Sequence, residues 1–147
     1  MKDPYLKPVI FGGLFIALLS IIFAPGIFLW AIIGGYITVR LSYKLTKEII
    51  SLTDGLLMGL FSGALGGSVL DIISFLSFKN IENKQKLISA LEKNWPKDMT
   101  LPNFQEILPS VFLTTCLLII LISILFAVIG SGIGIIITKK HPTSHSL

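Results

Sequence analysis

No charged residue occurs from Pro8 to Val39. A continuous helix of this length would be about 48 Å long, whereas the hydrocarbon core of a bilayer is about 30 Å thick. The segment must therefore fold back, and Ala24-Pro25-Gly26 offers the break, because proline suits the first turn of a helix and glycine tolerates a tight reversal. The sequence predicts two membrane spans here, at about 8–24 and 27–45. A re-entrant hairpin is the alternative, since the first span is short for a full crossing.

Two further apolar segments extend the prediction to four spans. The third is at about 54–78, where Ser51 before it favours a helix start, and the fourth is at about 109–138. A hydrophobic content of 53%, a charged content of 14% and a mean hydropathy of +0.86 are too apolar for an ordinary soluble domain. We therefore predict an all-α integral membrane protein, a single membrane domain over 1–147 that forms a four-helix transmembrane bundle.

The connection between the third and fourth spans, 79–107, is the only long polar segment. Within it Leu87, Ile88, Leu91 and Trp95 recur at helical spacing among charged residues, which predicts an amphipathic surface helix that ends at Trp95-Pro96. Two interpretations remain open. The helix is either an external docking site for a partner or a segment that rests on lipid headgroups or on the mouth of the bundle.

The basic residues predict the orientation of the chain. Seven of them lie in regions that share one side of a four-span protein: Lys2, Lys7, Arg40, Lys44, Lys47, Lys139 and Lys140. Cytoplasmic segments are enriched in lysine and arginine, so we expect both termini to be cytoplasmic. This topology also accounts for the net charge of +4, and no nucleic-acid partner is expected.

A row of small residues marks one face of the third span. Gly55, Gly59, Gly63 and Gly67 follow each other at intervals of four, and Asp71 continues the same line. We call the four glycines the glycine stripe. Membrane helices associate through close van der Waals packing, which glycine permits, so the stripe predicts a tight helix interface within the bundle or between copies of the chain. Further packing glycines are expected on the other spans: Gly12, Gly13, Gly34, Gly35, Gly130 and Gly134.

Asp71 is the one acidic residue predicted to lie well inside a span. An ionised aspartate at mid-span costs about 2.5 to 3.5 kcal/mol on insertion scales, so a position on the glycine face, away from lipid, is expected. One hypothesis is a proton or cation site. The other is a protonated or hydrogen-bonded carboxyl group near the outer interface, held by Ser68 or Ser74 on the same helix, or by Thr114 and Thr115 on the fourth span.

Enzymatic sites find little support in the sequence. Asp54 and Asp71 would lie about 25 Å apart on one helix, too far for the paired carboxyl groups of an aspartyl protease. His141 and His145 have the spacing of a metal pair but lie in a polar tail without further ligands. The lone Cys116 is interpreted as a small apolar filler. We expect no catalytic residue, no cofactor and no metal site.

The segment from Pro8 to Gly67 also carries a resemblance. Its features are Gly12-Gly13 followed by Ala17 and Ser20, then Pro25, Gly34-Gly35, and Asp54-Gly55 before Gly59, Gly63 and Gly67. In these it resembles a group of small, glycine-rich prokaryotic four-helix membrane proteins of unknown function. The resemblance implies a location in the cell membrane of a bacterium or archaeon, and it implies no activity.

Together these observations favour a non-enzymatic multi-pass protein with an accessory or scaffold role. The expected partners are the lipid bilayer and either a membrane subunit or further copies of the same chain. The alternative function is a small oligomeric transporter or channel, coupled to protons or cations, in which Asp71 carries the ion.

Overall fold

A computed structural model describes residues 4–100 and 102–140, and over these ranges the chain forms five α-helices and no strand. The helices are α1 (Leu6–Ile22), α2 (Ile27–Thr46), α3 (Leu52–Lys79), α4 (Ile81–Asn94) and α5 (Phe104–Lys140). A single turn of 3-10 helix, Ala24–Gly26, reverses the chain between α1 and α2. The all-helical prediction is therefore confirmed for the described residues, and the reversal lies at the predicted Ala24-Pro25-Gly26.

Three segments of the described chain are long and apolar enough to cross a membrane: Ala24–Thr46, Leu52–Lys79 and Phe104–Lys139. The first helix, α1, has 17 residues and is a shorter apolar helix. At 37 residues, α5 is about 55 Å long, which exceeds the hydrocarbon core of about 30 Å. Part of α5 must therefore extend beyond that core or tilt within it.

Side chains cap free backbone N–H groups at the starts of α3 and α4. The Ser51 hydroxyl accepts a hydrogen bond from the Asp54 N–H at 3.1 Å and donates one to the Asp54 carboxylate at 2.6 Å, which fixes the start of α3. At the start of α4 the Asn80 side chain accepts from the Glu82 N–H at 3.0 Å. Both caps satisfy donors that have no partner within their own helix.

The fifth helix begins earlier than the span predicted to start at Pro109. It starts at Phe104 because Asn103 caps it: the Asn103 side chain accepts from the Gln105 N–H at 3.2 Å and donates to the Glu106 carboxylate at 2.7 Å. Pro109 therefore lies inside α5. Proline has no N–H to donate to the carbonyl four residues earlier, and α5 nevertheless continues through this position.

Four helices pack together, and α4 lies outside them. Both α1 and α5 pack against α2 and α3, which lie between them. By contrast, α4 contacts the neighbouring α3 only sparsely and has no buried residue. The amphipathic surface helix predicted in the polar connection is thus present as α4, and it ends where predicted, before Trp95-Pro96. The Trp95 ring packs edge-on against Phe104 at 5.4 Å between centroids and so joins the connection to α5.

The bundle interior is narrow and its outer surface is apolar. The largest fully buried side chains are Ile16, Ile135, Val39 and Thr38. Large apolar side chains are exposed on α1, α3 and α5, for example Leu18, Leu76 and Leu113, each more than 60% exposed. A soluble protein avoids a surface of this kind, whereas a protein surrounded by lipid requires it.

Candidate functional site

The glycine stripe lies against α5. A Cβ atom built on Gly63 would lie 2.5 Å from the Ser123 carbonyl oxygen, and one on Gly67 would lie 2.8 Å from the Ile120 Cα. At the other end of the stripe, Gly55 faces the Ile135 side chain. Position numbers rise along α3 as they fall along α5, so the two helices are antiparallel. At Gly63 and Gly67 the α5 backbone is so close that a larger residue does not fit without a shift of the helices.

The other predicted packing glycines lie at contacts between different helix pairs. Gly12 of α1 faces Thr38 and the Gly34 carbonyl of α2, and Gly13 faces Leu65 of α3 at 2.7 Å from a built Cβ. Adjacent glycines of α2 point to different neighbours, Gly34 to Ile16 of α1 and Gly35 to Ala127 of α5. On α5, Gly130 faces the Ile32 carbonyl and Gly134 faces Val39. These glycines therefore lie at the contacts of α1 with α2, of α1 with α3 and of α2 with α5.

The position of the stripe bears on self-association. The stripe is buried, and the atoms nearest to Gly63 and Gly67 belong to α5 of the same chain. A second copy of the chain would have to displace α5 to use this face. Of the two interfaces that the stripe predicted, the structure contains the one within the chain.

Asp71 lies one turn beyond Gly67 and faces the thiol of Cys116 on α5. One carboxylate oxygen of Asp71, Oδ1, is buried and has no hydrogen-bond partner among the described residues. A buried acceptor without a partner is costly, and it is uncommon in folded proteins. Packing alone does not explain this oxygen.

The hydroxyl groups expected to hold Asp71 do not do so. Thr114 donates to the Ser110 carbonyl at 2.9 Å and Thr115 donates to the Val111 carbonyl at 2.8 Å, so each is used on its own helix. Ser68 and Ser74, on α3 itself, make no side-chain hydrogen bond to Asp71 within the described chain. None of these four hydroxyl groups forms a hydrogen bond with Asp71 in the described part of the chain.

The neighbour of Asp71 that the sequence did not reveal is Cys116. It lies one turn before Ile120 on α5, as Asp71 lies one turn after Gly67 on α3. The antiparallel register of the two helices therefore brings the two side chains together. From the sequence, Cys116 was interpreted only as a small apolar filler. The register of α3 on α5 is needed to predict its contact with Asp71.

Other candidate groups do not assemble into a site. Asp54 shares helix α3 with Asp71 and serves in the cap with Ser51, so the two carboxyl groups do not meet. Within residues 4–100 and 102–140, no group of three or more histidine, cysteine, aspartate or glutamate side chains could hold a metal ion. His141 and His145 lie outside the described residues.

Comparison of the chain with protein-family models, with curated proteins and with solved structures finds no match.

Proposed function

We propose that this chain is a non-enzymatic, four-span membrane protein that acts as an accessory or scaffold subunit. The helix α1 would also cross the membrane and so bring the number of spans to four. Its 17 residues meet the lower limit of about 17 for a crossing, and its Gly12 and Gly13 pack into the core. Lysine and arginine positions support cytoplasmic termini. The resemblance of residues 8–67 to small, glycine-rich prokaryotic membrane proteins supports a location in the cell membrane of a bacterium or archaeon.

A lateral groove on the bundle supports this proposal, because it offers a binding surface for a partner subunit. It has a volume of about 570 Å³ and lies between α1 and α3, where it is lined by Val9, Leu57, Phe61, Ala64 and Ser68, among others. Ala64 and Ser68 form a pair of small residues four apart on α3, a spacing that permits close helix approach. Unlike the glycine stripe, this pair lines an open groove and is not covered by another helix of the described chain. A transmembrane helix of a partner subunit fits this groove.

Native mass spectrometry of the tagged protein, extracted gently from its own membranes, tests this function. We expect a foreign subunit in fixed stoichiometry. The variant Ala64→Leu fills the groove and should lose that subunit while the chain itself still folds. Gly132→Leu is the matched control, since nothing lies within 4 Å of a Cβ built on Gly132. A chain that stays alone, or a subunit retained by Ala64→Leu, contradicts the proposal.

A second candidate function has one observation in its favour. The partnerless Oδ1 of Asp71 has the chemistry of a site that binds a proton or a cation within the membrane. Under this alternative the chain would be a small oligomeric transporter or channel. A closed homo-oligomer in the same mass spectra, without a foreign subunit, would favour it over the accessory role.

A further inference from the structure

A cavity of about 580 Å³ lies between α4 and the end of the bundle where α3 ends and α5 begins. Each of the four core helices contributes an apolar wall: Ile21, Ile27, Ile73 and Ile119. From α4, Leu87 closes the other side. The volume falls within the range of about 300 to 1,000 Å³ that is typical of small-molecule sites. The walls are suited to a hydrocarbon chain.

A basic group lies at the α4 side of this cavity. Lys84 lines it and is half-buried, with its Nζ 5.9 Å from the centroid of the Phe78 ring. The salt bridge on α4 joins Lys86 to Glu82, and no carboxylate pairs with Lys84 among the described residues. The cation is therefore available to an anion, and Asn83 beside it adds an amide to the same wall.

A buried hydroxyl group lines the cavity from α1. Ser20 is only 4% exposed, and its Oγ has no hydrogen-bond partner among the described residues. A buried hydroxyl normally donates to a carbonyl of its own helix or to a neighbour, and leaving it unpaired is costly. An ester carbonyl in a bound molecule would accept a hydrogen bond from Ser20 and remove that cost.

We propose that this cavity binds an anionic phospholipid of the surrounding bilayer. One acyl chain packs against the isoleucine walls, the phosphate lies at Lys84, and an ester carbonyl accepts the Ser20 hydroxyl. A free phosphate would leave the apolar walls empty, and a zwitterionic lipid places a second cation beside Lys84. Both the tail and the net negative charge are therefore recognised.

Lipid retention by the full-length protein in native mass spectrometry tests this site. With phosphatidylglycerol and phosphatidylcholine added in equal amounts, we expect preferential retention of phosphatidylglycerol. Lys84→Gln should reduce that retention about five-fold, the factor expected for one lysine near an anionic phosphate. Lys93→Gln makes the same charge change on an exposed position of α4 that does not line the cavity, and it should leave retention unchanged.

A second pair of variants tests the cavity without changing charge. Ser77→Phe places a ring at a position that lines the cavity and should lower phosphatidylglycerol retention, whereas Leu76→Phe, at a neighbouring position that is 63% exposed and outside it, should not. Equal retention of the two lipids, equal losses in Lys84→Gln and Lys93→Gln, or equal losses in the two phenylalanine variants would overturn the proposal. Glycerol phosphate that binds as well as the whole lipid would also overturn it, because the tail would then contribute nothing.

Discussion

Asp71 on α3 faces Cys116 on α5, one turn past the contact between Gly67 and Ile120. The polar pair thus continues the line along which the glycine stripe packs on α5. Up to Gly67, the α3 side of this line carries only glycine, which lets the α5 backbone and the side chains of Ile120 and Ile135 approach α3 closely. At Asp71 a carboxyl group takes the place of a glycine, and one of its oxygens has no hydrogen-bond partner within the described part of the chain.

Replacement of Asp71 separates the two candidate functions. The variant Asp71→Asn keeps the shape of the side chain and removes its charge, so under the accessory role we expect the folded fraction, the subunit composition and the ion permeability of proteoliposomes to stay unchanged. Flux measurements with proton and cation gradients check this. If the natural chain carries a flux that Asp71→Asn abolishes, the accessory role is contradicted and the transport role is supported.

Replacement of Gly63 tests the close approach of α3 and α5. A leucine there meets the Ser123 carbonyl and the Ile124 backbone, which cannot rotate away as a side chain can. We expect a loss of about 1 to 3 kcal/mol or more in the free energy of unfolding. The loss is measured by denaturation of the purified protein in mixed micelles.

Gly132→Leu is the control for this measurement, since the same change occurs on α5 where nothing lies within 4 Å of a built Cβ. Leucine also has a higher helix propensity than glycine, so this variant should be as stable as the natural chain or more stable. Equal destabilisation of both variants would mean that the loss at Gly63 does not come from helix contact.

Ser51 should matter for stability and not for ion or partner binding. Its hydroxyl caps α3 and contacts the Asp54 carboxylate, so Ser51→Ala should cost about 0.5 to 2 kcal/mol of stability. Ser51→Asp keeps an acceptor at the cap but places a second carboxylate beside Asp54, and Ser51→Asn keeps the acceptor without the charge. Stability restored by Ser51→Asn is the expected result, whereas a loss as large as that of Ser51→Ala would exclude the cap.

The sequence predicted the elements that depend on local chemistry. Pro25 and Gly26 set the reversal between α1 and α2, and the apolar spacing around Leu87 set α4. Each of these signals acts within a few residues along the chain, so it can be recognised without knowledge of the partner helix. The start of α5 at Phe104 depends on the cap at Asn103, which precedes the apolar segment at about 109–138 from which the span was predicted.

The contacts between helices could not be predicted in the same way. That Gly34 meets α1 while Gly35 meets α5 depends on the rotation of α2 in the bundle, which the pattern of small residues does not fix. The neighbour of Asp71 depends on the register of α3 on α5. Hydroxyl groups on the predicted face, such as Thr115, bond to their own helix instead, because a carbonyl four residues earlier is always within reach.

A crosslink tests most directly whether the glycine stripe packs on α5 of the same chain. Asp71→Cys creates a second thiol that faces the natural one, Cys116. Ile72→Cys is the control, because the Ile72 side chain is 59% exposed. After mild oxidation in the membrane, we predict an internal disulfide in monomers of Asp71→Cys and no internal disulfide in Ile72→Cys. Dimers of Asp71→Cys without an internal disulfide would contradict the account, because the stripe would then face a second chain.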